Sequence, residues 1–426
     1  MTITEGYLEH PVFHLVSETA RELGVRAFVI GGYVRDCFLG RANKDIDIVV
    51  EMPGQAGHDG SVAGHDGSVA RHDGEVRPGI LLAEAIGKKC HARVSVFKNF
   101  GTAMLRYHGI EVEFVGARKE SYHRDSRKPI VEDGTLEEDQ LRRDFTINAM
   151  AFSLQAEDYG ALVDPFGGIK DLAAGIIRTP LEPEQTYSDD PLRMLRAIRF
   201  AARLSTDERK FTIVPESLEA MRTMAERLQI LSKERIVEEL NKMLLTDHPA
   251  MAFELMEQTG LLQQFLPELS RLKGVETVDG KGHKENFTHT LQVVENVIRF
   301  EKEAIAEGRL NDYDADGNAT PRTEPYLWLR WAALLHDIGM TEDAVHDSPS
   351  YKKAFSHPRE GLRIARDEYK LNNLQLNAIQ RHMWPIGIIP PTHVIGWILT
   401  TADNMSSLNE GIAMLKEKIR RRKGEE

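Results

Sequence analysis

The sequence predicts an α+β multidomain protein: a head built on a mixed β-sheet with helices, then an all-α neck and body, then a second all-α domain. Three observations carry this. From residue 11 to 155, strand and helix patterns alternate, most clearly in 27–50, AFVIGGYVRDCFLGRANKDIDIVV. From 160 to 270, apolar residues recur at helical spacing, as in LEPEQTYSDDPLRMLRAIRFAARL and SKERIVEELNKMLL. From 283 to 410 the pattern is helical again but rich in His and Asp. The expected boundaries are 1–158 for the head, 159–272 for the neck and body, and 273–426 for the last domain. A chain of 426 residues fits about two to four domains.

Within the head, the strand expected at 27–30 is broken by Gly31 and Gly32. Glycines there let backbone N–H groups approach a phosphate, with a helix starting near Tyr33. Arg35 adds a planar fork suited to phosphate. The next strand carries Ile46, Ile48, Val49 and Val50. Alternation puts Asp45 and Asp47 on one face while Ile46 and Ile48 point into the core. Two carboxylates roughly 7 Å apart at the backbone call for positive charge between them. Mg2+ suits that place, because it takes one or two carboxylates together with substrate phosphates. The unit is therefore suited to a nucleoside triphosphate and metal.

Residues 57–76 read GHDGSVA GHDGSVA RHDGEV, a seven-residue repeat. Gly recurs and no apolar pair repeats, so it is not a coiled coil. His58, His65 and His72 with Asp59, Asp66 and Asp73 offer weak metal ligands; the plainer expectation is a loosely turned insertion before a helix at 80–87. A later strand, beginning at 111, puts Glu111 and Glu113 on one face. Residues 302–325, with NDYDADGNATPRTEP, read as a polar loop.

Composition bounds the function classes. Apolar content of 41% and charged content of 28% are ordinary for a soluble protein. No apolar run approaches the roughly 20 residues a membrane span needs. MTITEGYLEH has no basic n-region or apolar h-region, so no secretion signal is expected. Cys37 and Cys90 give no disulfide framework, which points to a reducing, cytoplasmic setting. A net charge of −12 excludes a protein that is basic all over but leaves room for a local basic groove. The segment 193–203 and KEKIRRRK at 416–423 are the clearest basic patches.

The remaining motifs of the first half are EVEFVGARKESY at 111–122, RRDFTINA at 142–149, DPFGGIKDLAAGIIR at 164–178, DDPLRMLRAIRF at 189–200 and ERIVEELNK at 234–242. In this order, after GGYVRD and DID, they resemble the class II nucleotidyltransferases, which comprise tRNA CCA-adding enzymes and bacterial poly(A) polymerases. The resemblance covers roughly residues 20–265. It implies that Asp45 and Asp47 hold two Mg2+ ions that activate a primer 3′-hydroxyl and bind the triphosphate. It implies that Gly31, Gly32 and Arg35 form the triphosphate motif. Arg143, Asp144 and Asn148 match the motif that contacts the nucleotide and links head to neck; Arg142 and Arg143 also read as a surface pair. Glu113 is a candidate third acidic group, or half of a solvated strand face with Glu111.

Asp190 and Arg193 stand at i and i+3, neighbours on a helix. A carboxylate accepts hydrogen bonds and a guanidinium donates them, which suits the exocyclic amine and adjacent ring nitrogen of cytosine and adenine. Uracil and guanine place a carbonyl where the amine would be, a mismatch of about 1–3 kcal/mol in a dry site. The pair is thus a candidate protein template for CTP and ATP, the role the resemblance implies; the plainer reading is an intrahelical salt bridge. Arg196 and Arg199 continue the row toward phosphate or the template pair.

In the last domain, His289, His336-Asp337 and Asp403 stand in the order H…HD…D, with His357 and His382 between. Imidazole and carboxylate on neighbouring helices suit Mn, Fe, Ni or Zn. The set resembles an HD-superfamily metal phosphohydrolase, with Met340 where members of that family commonly carry Lys. The expected activity is template-independent addition or repair of the 3′-terminal CCA of tRNA from CTP and ATP, fused to an HD domain. The alternatives are a poly(A) polymerase and an HD phosphohydrolase whose head binds RNA.

Overall fold

The structure, a computed structural model, describes residues 5–52, 71–72, 75–121, 130–273, 275–278, 281–313, 319–338, 358–364, 378–382 and 397–407. Most of the seven-residue repeat, His357, Met340 and the basic stretch 416–423 lie outside the described residues. Two compact units are present: Met1–Ala197 with Lys210–Ala220, and Ile198–Arg209 with Met221–Glu426. The boundary expected at 158/159 falls inside the first unit.

The first unit is organised by a seven-stranded mixed sheet: β1 Arg26–Ile30, β2 Asp45–Glu51, β3 Val94–Phe97, β4 Thr102–Tyr107, β5 Ile110–Gly116, β6 Ala151–Ser153 and β7 Leu162–Val163. Their order is β7-β6-β1-β2-β5-β4-β3. The β2–β5 pair is parallel and every other pair is antiparallel. A parallel pair needs a crossover, and the helix Pro78–Cys90 supplies it. Its buried face is Ile80, Leu82, Ala83 and Ile86. A Cβ on Gly79 would lie 2.8 Å from the backbone carbon of Val115, so only glycine lets the helix start so close to β5.

The expected alternation in β2 holds. Ile46 and Ile48 are buried, Asp45 is exposed and Asp47 is half-buried. Val49 and Val50 are both buried, as suits a central strand covered on both faces further along. The helix Pro11–Leu23 turns Val12, Phe13, Val16 and Ala20 inward at helical spacing, starts on proline, and stops at Gly24 with φ 67°.

The second unit is helical. Its longer described helices are Lys233–Leu244, Pro249–Gln258, Asn286–Ala306 and Leu327–Leu335, and residues 358–364, 378–381 and 397–407 are also helical. The polar loop expected at 302–325 is different: the helix runs to Ala306, and Asn311–Tyr313 pairs antiparallel with Ala319–Pro321. Arg330 is almost wholly buried. Its Nε donates to Glu301 at 2.9 Å, and its Nη1 donates to the carbonyls of Leu244 (2.6 Å) and Thr246 (2.9 Å). This charge tolerates burial because both its carboxylate and its hydrogen bonds are supplied.

Candidate functional site

The head's acidic cluster is made by strand register. Parallel pairing sets Asp45 opposite Glu111 and Asp47 opposite Glu113. Glu111 is paired with Arg106 across β4–β5, whereas Glu113 faces Met104 there. Asp45, Asp47 and Glu113 therefore share one face near the start of β2. Asp47 has its carboxyl pushed up to about 6, by burial first, with Glu113 and Asp45 adding and Arg143 opposing. The group is short of positive charge, which is the condition a divalent cation with oxygen ligands relieves. Those carboxylates fit a divalent metal ion.

Gly31 turns the chain at the end of β1 with φ 82° and ψ −131°, in the region open to glycine. A Cβ there would lie 3.1 Å from Arg143 Nη1 and 3.6 Å from Asp47 Oδ2. The glycine thus lets the turn, the metal-type carboxylate and a guanidinium meet. Gly32 opens the helix Gly32–Phe38. Asn43 donates to Asp36 at 2.8 Å and accepts from the Asp45 backbone N–H at 2.9 Å, which fixes the start of β2.

Arg35 is buried. Its Nε donates to Asp36 at 2.8 Å and its Nη1 to Asn148 Oδ1 at 2.7 Å. In this arrangement the fork fastens the glycine turn to the Asn148 segment. Asn148 also donates to Asp144 Oδ1 at 3.0 Å, and Asp144 Oδ2 accepts from Arg196 Nε at 2.9 Å. Burial opposes the ionised form of Asp144, but Arg196 and Asn148 overcome it and hold the carboxyl down at about 2. Asp144 and Asn148 are thus brought together with Arg35 and Arg196 in one hydrogen-bonded chain, while the Arg143 side chain is held by Asp139 beside the Gly31 turn.

The helical placement of Asp190 is corrected. Helix Pro183–Asp189 ends before it, and Asp190 is extended at φ −140°, ψ 102°. Its Oδ1 accepts from the Leu192 backbone N–H at 3.2 Å, at the mouth of the helix Leu192–Leu204. Arg193 lies in that helix's first turn and donates through Nη2 to the Arg142 carbonyl at 2.7 Å. The two residues still flank one short corner, but not as an i,i+3 helical pair. Arg199, in the second unit, is buried against Glu239 at 2.6 Å.

Sequence reasoning missed Asp139, which is fully buried and accepts from both Arg142 and Arg143. The signal was present: Asp139 stands three and four residues before the arginines, the spacing of helix neighbours.

In the second unit, His289, His336, Asp337, His382 and Asp403 converge, all buried. His289 Nε2 lies 2.9 Å from Asp403 Oδ1 and 3.9 Å from Asp337 Oδ2. His336 Nε2 lies 3.4 Å from Asp337 and 3.8 Å from Asp403, and His382 Nε2 lies 3.6 Å from Asp337. Ring nitrogen Nδ1 of His336 sits 2.7 Å from the Ala333 carbonyl, and that of His382 sits 2.6 Å from the Ile379 carbonyl. A carbonyl only accepts, so both Nδ1 atoms carry protons. The His336 Nε2 lone pair therefore faces the carboxylates, whereas for His382 burial opposes the charged form but the hydrogen bond to Asp337 prevails and raises the imidazole. His336 Nε2 is buried without a hydrogen-bond partner.

Burial pushes His336 down to about 4, against the pull of Asp337. For Asp403, burial favours the neutral acid, but the His289 hydrogen bond prevails and holds it down at about 2. The His336 lone pair turned toward the ionised Asp403 is repelled by it, and a metal ion between them turns the repulsion into ligation. The residues fit a metal ion. His357 lies outside the described residues.

Comparison with known proteins finds three matching families. Residues 75–178 match the poly A polymerase head domain, 210–273 the probable RNA and SrmB-binding site of polymerase A, and 286–408 the HD domain. An A-adding tRNA nucleotidyltransferase of Aquifex aeolicus is 28% identical over 93% of this chain, which spans 41% of that protein. The mitochondrial CCA tRNA nucleotidyltransferase of Saccharomyces cerevisiae is 27% identical over 93% of this chain and 67% of its own length. A crystal structure of a tRNA nucleotidyltransferase with a primer tRNA and an incoming ATP analog is 25% identical, with TM-score 0.57, covering 96% of this chain and 99% of that one. No described helix is long and apolar enough to cross a membrane. This chain thus carries a poly A polymerase-type head domain, the RNA-binding segment that accompanies it, and an HD domain.

Proposed function

We propose that the protein is a template-independent RNA nucleotidyltransferase that adds or repairs the 3′-terminal CCA of tRNA from CTP and ATP. The observation that carries this is the open acidic edge of Asp45, Asp47 and Glu113, with Arg143 and the Gly31 turn against it. When bound there, Mg2+ lowers the pKa of a primer hydroxyl and neutralises triphosphate charge. The carboxylates orient that charge, and the Gly31 backbone and Arg143 lie where a triphosphate would reach it. Asp190 and Arg193 present an acceptor and a donor to the base, and Asp144, Asn148 and Arg35 keep the nucleotide corner rigid.

The test is to incubate the full chain with tRNA transcripts ending before CCA, before A, and complete, with each NTP singly and mixed. Ordered C, C, A addition that stops at the complete end is the expected result. Addition of A alone to the transcript ending before A, with none to the others, narrows the activity to that of the Aquifex relative's name. Long A tracts on any RNA identify a poly(A) polymerase and overturn the reading.

A second reading concerns the HD site. Its carrying observation is the buried, unpartnered Nε2 of His336 beside Asp337 and Asp403. His289, His336, Asp337 and Asp403, with His382, would hold a transition metal such as Mn, Fe, Ni or Zn, which supplies an activated water for phosphate ester hydrolysis. Metal analysis of the purified protein, with hydrolysis of phosphate mono- and diesters, tests it.

A further inference from the structure

Arg142 and Arg143 are adjacent, and side chains of adjacent helical residues do not face each other. Here both guanidinium groups are nevertheless gathered on one carboxylate. Asp139 is wholly buried on the helix Leu136–Leu141. Its Oδ1 accepts from Arg142 Nε at 3.1 Å and Nη2 at 2.6 Å, and its Oδ2 accepts from Arg143 Nε at 3.1 Å. The helix that presents it is itself fixed. Thr135 and Glu138 form a reciprocal capping box, and Gln140 donates to the carbonyls of Ala149 (2.6 Å) and Val163 (3.0 Å).

Each arginine carries the constraint onward. Because Asp139 takes the Nε edge of Arg143, the other end of the guanidinium points away, and Nη1 comes against Gly31 and Asp47. The Arg142 backbone carbonyl accepts from Arg193 Nη2. One buried carboxylate therefore lies between the metal-type edge and the base-reading corner.

We propose that Asp139 is a positioning residue for nucleotide addition: it sets the Arg143 guanidinium against Asp47 and the Gly31 turn, so that the triphosphate meets an oriented cation. The proposal rests on the reading of the head as a nucleotidyltransferase. A flexible arginine would lose side-chain freedom on binding each nucleotide; one already held by Asp139 does not. Asp139 itself is wholly buried, with both carboxylate oxygens taken by the two arginines.

The test measures ATP and CTP binding to the full chain by titration in Ca2+, which suppresses turnover, for wild type, Asp139→Asn, Asp139→Glu, Arg143→Ala and the Asp139→Asn/Arg143→Ala double variant. Thermal unfolding runs alongside. Asp139→Asn should weaken both nucleotides about tenfold, and the double variant should be no weaker than Arg143→Ala alone. Asp139→Glu keeps the charge that neutralises both arginines, so it retains the fold but displaces them, and nucleotide binding should still weaken. Binding of tRNA should stay at the wild-type level throughout. Losses that add in the double variant, or tRNA binding that falls in step with nucleotide binding, would show a general structural role and overturn the proposal. Wild-type nucleotide affinity in Asp139→Asn or Asp139→Glu overturns it too. A wild type that binds no nucleotide overturns the reading of the head, and the proposal with it.

Discussion

Two acidic clusters stand in this chain, and they handle negative charge in opposite ways. In the head, Asp45 and Glu113 are exposed and Asp47 is half-buried, aligned by strand register, with Arg143 the cation beside them. In the HD site, Asp337 and Asp403 are buried and surrounded by three imidazoles, two of them held so that Nε2 turns inward. The first leaves Asp47 raised to about 6 and open to whatever cation arrives with substrate. The second keeps His336 neutral and Asp403 ionised, the forms a resident metal needs. Openness suits a metal that travels with a triphosphate; burial with imidazole suits one that stays.

The sharpest way to break this comparison is to remove its first member. Asp45→Ala and Asp47→Ala should each lower nucleotide addition by about a thousandfold or more, because each carboxylate is asked to hold metal that both activates the attacking hydroxyl and neutralises the triphosphate. Transition-metal content should not change. Substantial addition by the double variant in Mg2+ would sink the head assignment.

The reciprocal experiment is His336→Ala with Asp337→Ala. Bound transition metal, and any phosphatase or phosphodiesterase activity, should fall to background in metal analysis and ester hydrolysis, with nucleotide addition nearly unchanged. Retained metal would mean that His289, His382 and Asp403 bind it without the pair. A parallel loss of addition, with the fold intact by circular dichroism, would tie the HD domain to tRNA positioning.

How much of this was legible in the sequence depends on the range of the interaction. Asp45 and Asp47 sharing a face follows from strand alternation alone, which is local. That Glu113 lies beside Asp47 does not, because it depends on β5 pairing with β2 across the 58 residues between the two strands. The H…HD…D order was legible, but the histidine tautomers, which face carbonyls on their own helices, were not. Arg35 read as a ligand for phosphate because burial is invisible in a single chain; its partners Asp36 and Asn148 had to be seen. The error at Asp190 was avoidable. Pro191 follows it, and the residue before a proline is turned away from helical backbone. The sequence DDPL already contained the extended corner that the structure shows at ψ 102°.

That corrected corner gives a smaller effect to measure. Asp190→Ala or Arg193→Ala should erode base choice as well as rate. UTP and GTP incorporation should rise relative to CTP and ATP by roughly tenfold or more, since losing one partner removes the penalty on the wrong edge. Unchanged selectivity with only a slower rate would make Asp190 a cap for the helix Leu192–Leu204 and Arg193 a brace on the Arg142 carbonyl, and nothing more.

The smallest effect lies in acid stability, and it separates the head's structural carboxylate from its metal-type ones. Asp144 is buried, and its carboxyl is held down at about 2 against an ordinary 3.8, with burial opposing and Arg196 and Asn148 prevailing. A group whose folded pKa is depressed contributes stability that is fully present above its unfolded pKa. That stability is lost as pH falls through the folded one. The window here runs from about pH 4 down to about pH 2, and its full size is about 2 kcal/mol at most. Asp47 has the opposite sign: its raised carboxyl favours the folded head when protonated, so without metal it opposes folding as pH rises through about 6. Asp144→Asn should therefore lower the unfolding midpoint at pH 7 and flatten its dependence on pH between 4 and 2. Asp47→Asn should raise the metal-free midpoint slightly at pH 7, with little change at pH 4. Denaturant titrations of the two variants across that range, in EDTA, read both signs at once. If both variants shift stability in the same direction at pH 7, the acidic edge and the Asp144 network are one structural unit, and the distinction between a carboxylate kept for metal and one kept for the fold is lost.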